Sequence, residues 1–329
     1  MRNAKILSTG MYVPEQIIPN SYFDEHFNEN ISEWLETNVQ IYNRRWCSDN
    51  QSTADLCIEA GNQALSRAGL SPGQIDLLIV CTDTPEYLSP STASKVQYKL
   101  DLTNAGTFDL NSACAGFVTG LDVSAKYIRA DNQYNHVMVI GAYTMSKYLN
   151  QNDKKTSNLF ADGAGAVILS STDSTDLGFL ASELRTKGEY CDWMGIYAGG
   201  SHHPINKEVV EQKDHLLKFV KRFPSELNPE TWSDMIKTLA EKSQTHIEDV
   251  DQFLFTQINI NSIWETLDLI KQPREKAHTV MHQYGYTGSA CIPMALDEAI
   301  QLGKIKPGNL VYFIGSGGGL SFASVAFRF

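Results

Sequence analysis

Ile75-Asp76-Leu77-Leu78-Ile79-Val80 and, 175 residues further on, Val250-Asp251-Gln252-Phe253-Leu254-Phe255 share one plan: a short apolar run with an acid at its second position. Runs of this length, rich in β-branched and aromatic residues, read as buried strands. A helical pattern precedes each, Ala54 to Ala68 before the first and Trp232 to Lys242 before the second, with Gly69 to Gln74 turning the chain between helix and strand in the first unit. The offset returns downstream. Leu121-Asp122 in the helix expected after Cys114 matches Leu296-Asp297 in the helix expected after Ser289, and the strand His136 to Ile140 with Gly141 matches Leu310 to Ile314 with Gly315 at a spacing of 174. Three correspondences at one spacing imply a duplicated βα-rich half, with alternating strands and helices stacked in α/β layers.

The halves are placed at residues 1–172 and 173–329. Each is expected to close on a hairpin-like strand, Gly165 to Ser170 in the first and Ala323 to Phe329 in the second. The segment 190–227 has no counterpart in the first half and is rich in charge, His and Pro, so it reads as an insertion over a cleft. No low-complexity linker separates the halves, which are expected to share one rigid core.

Composition narrows the function classes. A formal net charge of -11 argues against a nucleic-acid or anionic membrane surface as the main partner. The start, Met1 to Gln16, is too short and mixed in its apolar stretch for a signal peptide, and no window approaches a membrane span. Cys47, Cys57, Cys81, Cys114, Cys191 and Cys291 lack CxxC or metal-ligand spacing, so neither a disulfide framework nor a metal site is expected. Reduced thiols in the cytoplasm are the resulting expectation.

One cysteine stands apart. In Phe108-Asp109-Leu110-Asn111-Ser112-Ala113-Cys114-Ala115-Gly116-Phe117-Val118-Thr119-Gly120-Leu121, a short strand ends in a turn of small residues and a helix is expected to begin at Cys114. A thiol at a helix N-terminus faces unpaired N–H groups and the positive end of the dipole, which favour the thiolate. Gly315-Ser316-Gly317-Gly318-Gly319 lies between two strands, where backbone N–H groups approach a ligand closely and supply an oxyanion-hole donor beside the N–H of Cys114. It is not a phosphate loop, since no helix follows and no Lys-Ser/Thr pair closes it.

The run Asp109 to Gly120, Phe160-Ala161-Asp162-Gly163-Ala164-Gly165-Ala166-Val167, Tyr284-Gly285-Tyr286-Thr287-Gly288-Ser289-Ala290-Cys291-Ile292-Pro293 and the terminal Gly315 to Ala323 together resemble ketoacyl-ACP synthase III. The resemblance covers essentially the whole chain. That family belongs to the thiolase superfamily, which implies a five-layered αβαβα arrangement of two duplicated halves. It further implies a homodimer, without a permanently bound cofactor, in which Cys114 accepts an acyl group from acyl-CoA and condenses it with a malonyl thioester on acyl carrier protein. By the same match Trp34 takes the place of the tryptophan that stacks on the coenzyme A adenine, Lys154 that of a basic residue on the other side of the base, and Gly318 that of the glycine completing the oxyanion hole. Asn259 falls in the run lining the coenzyme A side.

The chain departs from the family's pattern at its catalytic pair. Where the family carries His in a His-Gln-Ala-Asn run, this sequence reads Thr256-Gln257-Ile258-Asn259, and where it carries Asn in Gly-Asn-Thr, this sequence reads Gly285-Tyr286-Thr287. Hydroxyls still donate hydrogen bonds, but they carry no positive charge to stabilise an enolate. His278 and His282 are the nearest substitutes in sequence, and His202 and His203 sit at the rim of the insertion. Ser89 stands where short-chain enzymes gate the acyl pocket with Phe, which opens it to a longer chain, and Asn261 replaces a basic residue that serves coenzyme A phosphate or carrier docking. Three readings follow: a synthase III-like condensing enzyme, an acyltransferase that does not decarboxylate, and a silent subunit paired with an active paralogue.

Overall fold

The computed structural model describes residues 2–174 and 176–329; Met1 and Thr175, at the start of the first half and near the start of the second, lie outside them. The main strands are β1 (Asn3–Tyr12), β2 (Leu77–Cys81), β3 (Gly106–Leu110), β4 (His136–Thr144), β5 (Asp162–Thr172), β6 (Gly178–Thr186), β7 (Gln252–Phe255), β8 (Leu310–Gly317) and β9 (Ser321–Arg328). The main helices are α1 (Thr53–Ala68), α2 (Thr92–Lys99), α3 (Gly116–Ala130), α4 (Leu227–Ser243), α5 (Ile260–Leu269) and α6 (Cys291–Gln301).

Two sheets carry the duplication. The first runs β1-β5-β4-β2-β3 and the second β6-β9-β8-β7, with the parallel pairs β2/β4 and β7/β8 in corresponding places. The antiparallel pairs β4/β5 and β5/β1 likewise match β8/β9 and β9/β6. The short acidic residue that opens each matching strand has one job in both halves. The Asp76 carboxylate accepts the N–H groups of Asn135 (2.6 Å) and His136 (2.9 Å), and that of Asp251 accepts the N–H of Leu310 (2.7 Å). Each thereby clamps the start of one parallel strand to its neighbour.

The layers follow from which helix faces are apolar. α1 starts from a capping box, Ser52 with Asp55, and ends on Gly69 in the left-handed conformation. Its buried face, Ala54, Cys57, Ala60, Gly61, Ala64 and Leu65, lies on β1, β5 and β4. Approach is so close that a Cβ on Gly10 would stand 2.4 Å from the Ala60 carbonyl oxygen. α3 and α6 are packed between the sheets, and α4 with α5 covers the outer face of the second. The order is helix, sheet, helices, sheet, helix, the five-layered thiolase arrangement that the resemblance implied.

The middle layer holds the halves together. Asp297 of α6, buried, accepts the Thr9 hydroxyl of β1 (2.6 Å) and pairs with Arg67 of α1. Around 188–226 the chain forms only short pieces, including the two-residue pairing of Met194–Gly195 with Lys218–Phe219. Among the described residues no helix is long and apolar enough to cross a membrane.

Candidate active site

β3 delivers the chain to Asn111, whose side-chain oxygen accepts the Ala113 N–H (3.0 Å). Ala113 is left-handed, with φ of 45°, a conformation that costs a residue with a Cβ about 1 kcal/mol or more and that the Asn111 bond helps to hold. The turn closes with Ala115 N–H on the Ser112 carbonyl and Gly116 N–H on that of Ala113. Helix α3 therefore begins at Gly116, two residues later than expected, and Cys114 sits in the turn in front of it.

The expected thiolate is not the resting state. Burial pushes the Cys114 thiol well above its ordinary value, the charge of Asp83 pushes it further, and a hydrogen bond from the Tyr286 hydroxyl only partly opposes them. At 3% exposure, desolvation outweighs the helix end. Tyr286, 2% exposed, is held by its N–H on the Leu159 carbonyl (2.9 Å) and by Ala161 N–H on its own carbonyl (2.8 Å). Its ring packs on Phe160 and Tyr143 with centroids 5.4 and 6.4 Å away.

The glycine run reaches the same place from the second half. A Cβ on Gly317 would stand 2.4 Å from the Cys114 nitrogen and 2.9 Å from that of Ala115, so only glycine brings the end of β8 against this turn. Gly318 follows and lines a cavity of about 250 Å³ whose floor is Cys114. Asp83, Asn111 and Tyr143 line it from the first half, and Met194, Ile196 and Tyr197 from the inserted segment. The 190–227 segment thus stands over the nucleophile.

Other expected residues fall elsewhere. Thr256 is buried behind the cavity, and its hydroxyl is engaged with one backbone unit, donating to the Ser316 carbonyl (3.2 Å) and accepting the Ser316 N–H (2.9 Å). Ser89 lies on an exposed segment and does not line the cavity, so a single chain supplies no gate there. His278 is buried between Glu298 (3.0 Å) and Lys304 (2.9 Å), and neither it nor His282, His202 or His203 lines the cavity. Asp162 of the Phe160 run is structural: its carboxylate accepts the N–H groups of Cys47 (2.7 Å) and Ser146 (2.9 Å).

Trp34, half exposed, ends the short helix Ile31–Trp34, and Lys154 pairs with Glu29 (2.6 Å), just ahead of that helix in the chain. Asn259 caps α5 by accepting the Asn261 N–H (3.1 Å), and the Asn261 side chain donates to the Asn38 carbonyl (2.7 Å) beside that helix.

Asp83 escaped the sequence reading. It lies two residues past the buried strand β2, where strand ends of α/β sheets meet ligands, and that position was the available signal. Burial pushes its carboxyl up to about 6, eased only by its own backbone N–H.

Residues 108–188 match the family described as 3-oxoacyl-[acyl-carrier-protein] synthase III, and residues 240–329 match its C-terminal region. The beta-ketoacyl-[acyl-carrier-protein] synthase III of Clostridium perfringens is 36% identical over 328 residues, covering 100% of both chains. A crystal structure of the 3-oxoacyl-[acyl-carrier-protein] synthase III of Aquifex aeolicus superposes with a TM-score of 0.89 at 29% identity, covering 99% of this chain and 100% of that one. The priming beta-ketosynthase of the R1128 polyketide pathway superposes with a TM-score of 0.87 at 26% identity, over 98% and 95% of the chains. The fold agrees with these likenesses, and the chain belongs to the 3-oxoacyl-[acyl-carrier-protein] synthase III family of acyl-transferring condensing enzymes.

Proposed function

We propose that this protein is a cytoplasmic homodimer that takes an acyl group from acyl-CoA onto Cys114 and condenses it with a malonyl thioester on acyl carrier protein, with no permanently bound cofactor. The observation that carries the reading is the convergence on Cys114: its turn lining the cavity, the Gly317 backbone pressed on its nitrogen, and the buried Tyr286 side chain acting on its thiol. Sulfur attacks the thioester carbonyl, and the N–H groups of Cys114 and Gly318 hold the oxyanion. Trp34, Lys154 and Asn259 hold the coenzyme A portion. The halves meet at residues 172 and 173, and the 190–227 segment covers the bound chain.

In this reading Tyr286 and Thr256 position the malonyl carbonyl for loss of carbon dioxide. One observation favours a second reading. The Thr256 hydroxyl already gives its proton to Ser316, so a malonyl carbonyl finds no free donor there unless that bond breaks. Acyl transfer from Cys114 to an alcohol, amine or thiol needs no such donor. Release of labelled carbon dioxide from malonyl-acyl carrier protein by the acylated enzyme separates the two. Release in step with product supports condensation, and product formed from another nucleophile without release supports the second.

A further inference from the structure

A thiol held protonated in a buried turn needs a proton acceptor when it attacks, and the family's His is Thr256 here. Among the described residues lining the Cys114 cavity, Asp83 is the one carboxyl, and no imidazole is present. Its Oδ1 is sealed from solvent without a hydrogen-bond partner, and no cation contributes to its electrostatics. A half-buried carboxyl with one sealed, unpartnered oxygen and only its own backbone N–H to ease its charge is costly to keep, and packing alone gives no reason to retain it.

The other titratable groups facing this space do not compete for the role. Tyr143 and Tyr197 line the cavity and Tyr286 and Cys291 lie beside Cys114; burial raises all four, Tyr197 and Cys291 to about 12. Tyr148, on the flank of Asp83, is raised by burial and by the charges of Asp83 and Glu86. Glu86 does not line the cavity and is paired with Lys95, while Cys191 lies at the cavity wall as an exposed thiol.

We propose that Asp83 is the general base that accepts the Cys114 proton during acylation and returns it to the leaving thiol, an inference that rests on the acyl-transfer reading above. The proton passes from Sγ to the Asp83 carboxylate, directly or through one water, as Sγ bonds to the thioester carbonyl carbon and that carbonyl's π pair moves to oxygen. When the tetrahedral intermediate collapses, the bond to the coenzyme A sulfur breaks, that sulfur takes the proton from Asp83, and coenzyme A leaves as a free thiol. No net proton is gained or lost. Because the Asp83 charge opposes a thiolate at rest, proton transfer accompanies attack rather than preceding it.

Single-turnover acylation by acetyl-CoA and octanoyl-CoA, quenched between pH 5 and 9 and read by intact-protein mass spectrometry, tests this. The wild-type rate is expected to rise about tenfold per pH unit and level off above about 6, the carboxylate being the active form. Asp83→Asn is expected to lose that inflection and to slow acylation by about 10²–10⁴-fold at pH 7.5. Asp83→Ala is expected to recover rate in proportion to added formate. An Asp83→Asn protein with the wild-type profile overturns the assignment, as does one slowed equally at every pH with its inflection intact, which marks a merely structural role. A wild-type profile without an inflection between pH 5 and 7 overturns it with no variant needed. Folded wild-type protein that takes no acyl group from either thioester overturns the Cys114 reading itself, and this inference with it.

Discussion

Asp83 keeps a carboxyl where burial works against its charge, and this sets a pH dependence of stability as well as of rate. Its folded value, about 6, lies above the ordinary 3.8, so the folded state binds the proton more tightly. The contribution to stability is full below about pH 4 and is lost as pH rises through about 6. Asp83→Asn is therefore expected to stabilise the protein at pH 7.5 by roughly 2–3 kcal/mol and to differ little from wild type near pH 4, as chemical denaturation at the two pH values will show. Stability gained where activity is lost is the usual mark of a residue kept for chemistry. Tyr286 has the opposite profile. Tyr286→Phe keeps the ring packing on Phe160 and Tyr143 but removes the donor to Sγ, so acylation is expected to slow by about 10–10²-fold with the melting temperature near that of wild type.

The turn after β8 shows what an element can fix that a side chain cannot. Gly317 carries no functional group, yet it permits the close contact of the β8 end with the Cys114 turn, after which Gly318 lines the cavity. Gly317→Ala forces the β8 end away from Cys114 and is expected to cost about 1–3 kcal/mol and most of the acylation rate, measured by urea denaturation and by mass spectrometry. The same run was legible as a close backbone approach because glycines between two strands have few other uses. The start of α3 was less legible: small residues on both sides of Cys114 leave its onset open by a turn, and the left-handed Ala113 that delays it carries no signature in composition. Ser89 lies on the exposed loop after Asp83, where its neighbours within the chain do not include the cavity, so a role at the acyl pocket is not legible from one chain.

The duplication orders the whole molecule, and it was readable because each copy repeats one acid at one strand entry. Asp76 holds two N–H groups and Asp251 one, so Asp76→Ala is expected to destabilise by about 2 kcal/mol and Asp251→Ala by about 1 kcal/mol, an order that equilibrium unfolding will check. Other features emerge only when the halves are stacked. Asp83 and Cys114 are 31 positions apart, Tyr286 and Gly317 come from the other half, and the cover from 190–227 from a third segment, so no local spacing announces that they meet. The sequence shows Thr256 and Tyr286 in the runs where the resemblance implies His and Asn, but not that Thr256 is engaged with Ser316, because that bond depends on how β8 lies beside the strand before it.

The most direct test of the account is intact and peptide-level mass spectrometry of the protein after exposure to a series of straight-chain acyl-CoAs. The expected result is the mass of one acyl group per chain, located on Cys114, and none on a folded Cys114→Ala protein. A Cys114→Ala protein that gains the same mass, or an acyl group found on Cys191 or another residue instead, would contradict it.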